Sequence, residues 1–192
     1  MKNKTILFLI VFFHFFVLAE ASEVTLKATE IYTEKQGNII IGIGDAEAKT
    51  LDGIEIYANK FTYNKSKKIL IANGDVIVIN TIKNIKIQSE KIQYEEKNQK
   101  ITSYDLTKIN LNEKYFVKTK NIQYNHLNGE LFTEFLTEAT DIFNNTIILQ
   151  KFKYSIKDDS IKGQNIQILD DKNNKYFFKK YILKLKKNLL LG

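Results

Sequence analysis

Ala58-Asn59-Lys60-Phe61-Thr62-Tyr63, then Asn64-Lys65-Ser66-Lys67-Lys68, then Ile69-Leu70-Ile71-Ala72-Asn73-Gly74-Asp75-Val76: this stretch decides the fold. It is an alternating segment that ends at an aromatic, a polar turn, and a second apolar segment. The same grammar returns at Ser89-Glu90-Lys91-Ile92-Gln93-Tyr94, at Thr119-Lys120-Asn121-Ile122-Gln123-Tyr124 and at Gln150-Lys151-Phe152-Lys153-Tyr154. The tyrosines at 63, 94, 124 and 154 set a period of 30 or 31 residues. Weaker copies at Ala28 to Thr33 and Lys180 to Leu185 bring the array to six units, the last incomplete. Self-similarity at this spacing is the mark of a repeat architecture.

Each unit predicts a hairpin. Polar clusters follow Tyr63, Tyr94, Tyr124 and Tyr154, and further turns fall at Leu51-Asp52-Gly53, Asn80 to Asn84, Asn144-Asn145 and Asp170 to Asn174. Such clusters join antiparallel strands. The segments between them are rich in Ile, Val, Tyr, Phe and Thr, which suit a pleated, half-buried surface. Ile85 and Ile87 alternate with Lys86 and Gln88, placing one face inward and one in water. Ile39 to Ile41, Ile69 to Ile71 and Val76 to Ile79 are apolar on both faces, and are expected to be central, covered or an interaction surface. Leu131 to Thr140 carries helix-compatible spacing, yet its place in the repeat predicts a strand with a bulge. Ten to twelve strands are about the limit for an open sheet, so this one is expected to curl. The predicted fold is all-β, an elongated antiparallel β-jellyroll of hairpin repeats, with the repeat tyrosines filling the space between its faces.

The amino terminus reads as an address label. Lys2 and Lys4 precede a thirteen-residue apolar run, Ile6 to Leu18, and Ala19-Glu20-Ala21 fits a cleavage site. Residues 1–21 are therefore expected to be a secretory signal peptide and 22–192 the repeat domain, the run being short for a ~30 Å hydrocarbon core. The chain has no Cys and no Pro. Burial and strand pairing must stabilise it without disulfides, and no proline interrupts the ladders. The formal charge is +7, and removing Lys2, Lys4 and Glu20 leaves +6. A moderately basic exported protein is suited to anionic headgroups or phosphorylated glycolipid, and nucleic acid is not an expected partner; the alternative is that the interspersed lysines only solubilise strand faces and guard edges.

Catalytic parts are scarce. The two histidines are His14, in the leader, and His126, in a polar turn. No cofactor and no metal are expected: Asp158-Asp159 and Asp170-Asp171 sit where acidic residues favour turns anyway. Gly42-Ile43-Gly44 lacks the third glycine and the helix of a nucleotide loop and reads as a bend in a strand. An enzyme would have to gather Glu30, Glu90 and Glu95 on one face.

The Ala58–Val76 pattern resembles the repeat of the OstA-like family, which includes the lipopolysaccharide transport proteins LptA and LptC and the N-terminal domain of the assembly protein LptD. The resemblance covers nearly all of residues 24–192, and the copies at Ser89 to Leu106 and Thr137 to Asn145 make it most similar to the LptD domain. Three departures stand: Tyr104 occupies the place matching Gly74, the cysteines often found in LptD are missing, and no barrel follows. A chain closing mid-repeat is then expected to be a fragment or truncated product, and an LptA-like bridge protein is the alternative. The resemblance implies a non-catalytic periplasmic protein, associated with the outer membrane, that shields the acyl chains of lipopolysaccharide in an apolar groove. Its partners would be other jellyrolls of the same transport system, docked edge to edge, and an outer-membrane protein. Groove candidates are Ile69, Ile71, Val76, Val78, Ile85, Ile87, Ile92, Phe116, Ile122 and Phe152. A structural or adhesive β-repeat protein is the rival from another class.

Overall fold

The computed structural model describes residues 24–184; the expected leader and the closing stretch 185–192 lie outside the described residues. Fourteen strands form one antiparallel sheet. They are β1 (Val24–Lys27), β2 (Glu30–Glu34), β3 (Ile39–Thr50), β4 (Ile54–Asn64), β5 (Ile69–Asn80), β6 (Ile85–Glu95), β7 (Lys100–Leu111), β8 (Tyr115–Lys120), β9 (Gln123–Asn125), β10 (Glu130–Phe132), β11 (Thr137–Asp141), β12 (Thr146–Ser155), β13 (Ser160–Leu169) and β14 (Lys175–Lys184). A single 3₁₀ turn, Glu96–Asn98, interrupts them.

Pairing reduces fourteen segments to eleven bent strands. β1 pairs with the second half of β3 and β2 with the first half, so β1 and β2 are one strand broken at Ala28-Thr29. β8 and β9 divide β7 in the same way, and β10 and β11 divide β12. The other strands bend without breaking. The β3–β4, β4–β5, β5–β6 and β6–β7 ladders all slip in register near mid-strand. An extra residue there bends the strand and increases its twist.

The residues at these creases suit the task. Asp45, Asp75 and Asp105, thirty residues apart, have φ of 43°, 47° and 62°, and Asn165 follows two periods on at 51°. Asp and Asn tolerate the left-handed region because their short side chains bond locally. Gly74 has φ +79°, and a Cβ there would lie 2.6 Å from the Asn59 amide nitrogen. Tyr104, at the matching place in the next unit, leaves Asp105 as the crease's left-handed residue. Leu131 to Thr140 follows the same rule, forming β10, a break, and β11 in place of a helix. Thr133 holds that break: its hydroxyl donates to the Lys120 carbonyl at 2.7 Å and accepts from the Phe135 amide at 3.2 Å.

Folding every strand at its crease brings two layers face to face around one hydrophobic cluster. In one layer a cross-strand row alternates aliphatic and aromatic, running Ile40, Tyr63, Leu70, Tyr94, Ile101, Tyr124, Leu131, Tyr154, Ile161. All four repeat tyrosines are buried. The turns continue the ladders, for the amides of Lys65, Glu96, His126 and Ile156 donate to the carbonyls of Asn38, Lys68, Gln99 and Gly129 in the hairpin before. The all-β, antiparallel jellyroll expected from the repeat is the fold observed.

Candidate functional site

The space between the layers is the candidate site, and one row in the second layer defines it. Cross-strand neighbours run from Leu26 through Ala48, Ile56, Val78, Ile87 and Ile109 to Val117, Ala139, Ile147, Ile168 and Tyr176. Every bent strand contributes one residue, and all but Tyr176 are aliphatic. At about 4.8 Å per strand the row is about 48 Å long.

Seven of the ten groove candidates face this space. Val76, Val78, Ile85, Ile87, Ile92, Ile122 and Phe152 are all at most 3% exposed. The other three are not brought together with them. Ile69 and Ile71 are half-buried on the opposite face of β5, whose inward residues are Leu70 and Ala72. Phe116 is 50% exposed between the inward Tyr115 and Val117. In runs apolar on both faces, alternation does not say which parity points inward; the crease upstream sets it.

The free ends of the bent strands form a rim, where tyrosine hydroxyls meet polar side chains. Tyr63 donates to buried Glu96 at 2.6 Å, with the Lys68 ammonium 3.8 Å from the other carboxylate oxygen. Tyr154 donates to Asp159 at 3.0 Å and accepts from Asn112 at 3.4 Å. Burial first, and then Asp159, pushes the Tyr154 phenol well above its ordinary value.

The most elaborate rim contact ties the layers together at mid-array. Buried Asn80, at the end of β5, donates to the Tyr124 hydroxyl at 2.6 Å and to His126 Nδ1 at 2.8 Å. An amide nitrogen only donates, so Nδ1 is the unprotonated ring nitrogen and Nε2 carries the hydrogen. Nε2 lies 3.4 Å from the Asp52 carboxylate, and Lys83 donates to the His126 carbonyl. Asp52, Asn80 and Lys83 belong to one layer and Tyr124 and His126 to the other, which makes the cluster a clasp across the mouth. Burial and Lys83 hold the His126 pKa below its ordinary value, while Asp52 opposes them. The sequence around His126 marks only a turn, for its partners Asn80 and Asp52 lie 46 and 74 residues away, beyond any local signal.

At both ends of the described sheet, inward side chains are partly exposed. Ile31, on edge strand β2 opposite Gly42, is 51% exposed although it faces inward. On edge strand β14, Tyr176 and Phe178 oppose the buried Ile168 and Ile166 and are 47% and 38% exposed. Among the described strands, β2 pairs with β3 and β14 with β13 alone.

The acidic residues are dispersed. Glu30 accepts from Tyr32, Glu95 pairs with Lys100 at 3.1 Å, and Glu30 lies four strands from Glu90 and Glu95. Asp170 caps its own turn, accepting from the Lys172 and Asn174 amides at 3.0 and 2.8 Å. Among the described residues, no group of three His, Asp or Glu side chains is placed to hold a metal.

No protein-family model matches this chain, and no curated protein matches it in sequence. Among solved structures the fold is similar to that of LptH, the LptA homologous periplasmic component of the lipopolysaccharide transport device of Pseudomonas aeruginosa. The identity is 15%, the TM-score 0.48, and the match covers 55% of this chain and 80% of that one.

Proposed function

We propose that this protein is a non-catalytic carrier of lipopolysaccharide between membranes, taking acyl chains into the space between its layers. The observation that carries the reading is the row of aliphatic side chains, closed by Tyr176, that crosses all eleven strands, with the inward Ile31 and Tyr176 51% and 47% exposed. An acyl chain of twelve methylenes costs about 10 kcal/mol to expose, at ~0.8 kcal/mol per CH₂, so it cannot cross an aqueous compartment unshielded. A sheet folded on a crease is suited to take it, because the layers are joined covalently along one side and clasped by a few polar contacts along the other. The outer edges of β2 and β14 are suited to main-chain pairing with like modules. On this reading the protein works in the periplasm, beside other jellyrolls of the same transport system and an outer-membrane partner. The repeat grammar favours a role like that of the LptD N-terminal domain; an LptA-like bridge is the alternative.

One observation favours a different reading. Ile87, Ile92, Ile122 and Phe152 are fully buried, as in a structural or adhesive β-repeat protein whose interior only builds length. Organic extraction of the protein purified from its native envelope, followed by mass spectrometry, separates the two. A carrier yields stoichiometric lipid A species; a structural repeat yields none.

A further inference from the structure

The outer face of the sheet near its carboxyl end carries a second site. The register there sets Phe132, Lys153, Lys162 and Ile182 side by side on β10, β12, β13 and β14. Lys153 and Lys162 are directly opposed, an arrangement that destabilises a ladder unless something offsets it. The next row adds Lys180 beside Gln164. Lys151 joins them through the crease of β12. Two residues before Lys153, it shares that residue's outward face, and its φ of 52° and the register slip between Gln150 and Lys153 mark the crease there. The result is an open pocket of about 650 Å³ lined by four lysines with Phe132 and Ile182. Among the described residues no carboxylate lines it; Glu130 stands beside it and holds Lys153 at 2.7 Å.

We propose that this pocket binds a phosphomonoester, carried by a lipid or sugar headgroup that rests on the two apolar side chains. Several ammonium groups around one concavity suit a compact dianion, which each can approach as a point charge. The ligand's charge offsets the repulsion between Lys153 and Lys162, and its apolar part has Phe132 and Ile182 to cover. The site lies outside the interlayer space, so it stands whether or not that space takes acyl chains.

Calorimetric titration of the full chain tests this with three probes: short-chain phosphatidic acid, inorganic phosphate, and phosphatidylglycerol as a phosphodiester control. Phosphatidic acid is expected to bind tightest. Lys153→Gln/Lys162→Gln should weaken it at least tenfold, whereas removing two exposed lysines elsewhere on the outer face, Lys86→Gln/Lys108→Gln, should change it less than twofold. Glu130→Gln should tighten it, because the competing carboxylate is gone. Inorganic phosphate binding as tightly as the lipid would assign the site to the phosphoryl group alone. Absence of binding, a loss under threefold in the first variant, or equal losses in the two double variants would overturn the proposal.

Discussion

His126 is the residue whose chemistry the fold alters most plainly. Its neutral ring accepts from Asn80 and faces Asp52, while burial and the nearby Lys83 keep its pKa low. The unfolded chain, with an ordinary histidine pKa of about 6.5, then binds a proton more readily than the folded one. Its contribution to stability is therefore fully present above about pH 6.5 and is lost as pH falls toward the depressed folded value. Thermal unfolding between pH 7.5 and 5.5 should show a decline in Tm that His126→Gln flattens. In the same window, Asp52→Asn should move the His126 imidazole resonance titration to lower pH, since Asp52 is the group that raises it. A His126 pKa above 6.5 in the native protein would contradict this account of the clasp. Nothing local in the sequence marks the clasp, because it is assembled from three turns belonging to different repeats.

At the scale of the element, the crease defines this fold. A continuous strand would make a flat ribbon, whereas a left-handed residue near mid-strand in repeated units makes two layers. Gly74 is the sharpest test. At φ +79°, with Asn59 packed on it, Gly74→Ala should cost about 1–3 kcal/mol in urea unfolding, while Gly37→Ala, where φ is +83° in open space, isolates the backbone part of that cost. Equal losses at the two positions would show that packing across the crease contributes nothing. The tyrosine period, the turns and the alternation of β6 were legible in the sequence because each rests on local chemistry. Asp45, Asp75 and Asp105 carry the same period, and that signal could have located the creases. The inward parity of Ile69, Ile71 and Phe116 was not legible: their neighbours Leu70, Tyr115 and Val117 are apolar too, and the bulges reset which parity faces inward.

For the whole molecule, the two layers are held differently along their two sides. At the crease the backbone joins every strand to itself. At the rim the ties are side-chain contacts such as the one between His126 and Asp52, and on the terminal described strands inward Ile31 and Tyr176 are 51% and 47% exposed. That asymmetry is what a carrier needs, since a guest can part the layers without breaking a ladder. It also separates the inward and outward faces of a single strand in a way that can be measured. Photoreactive side chains placed at Ile87 and Phe152, which face the interior, and at Ile71 and Phe116, which do not, report which face a lipid meets. Irradiation in cells is predicted to crosslink lipopolysaccharide from positions 87 and 152 and not from 71 and 116; crosslinks from the outward pair alone, or from none of the four, would contradict the carrier.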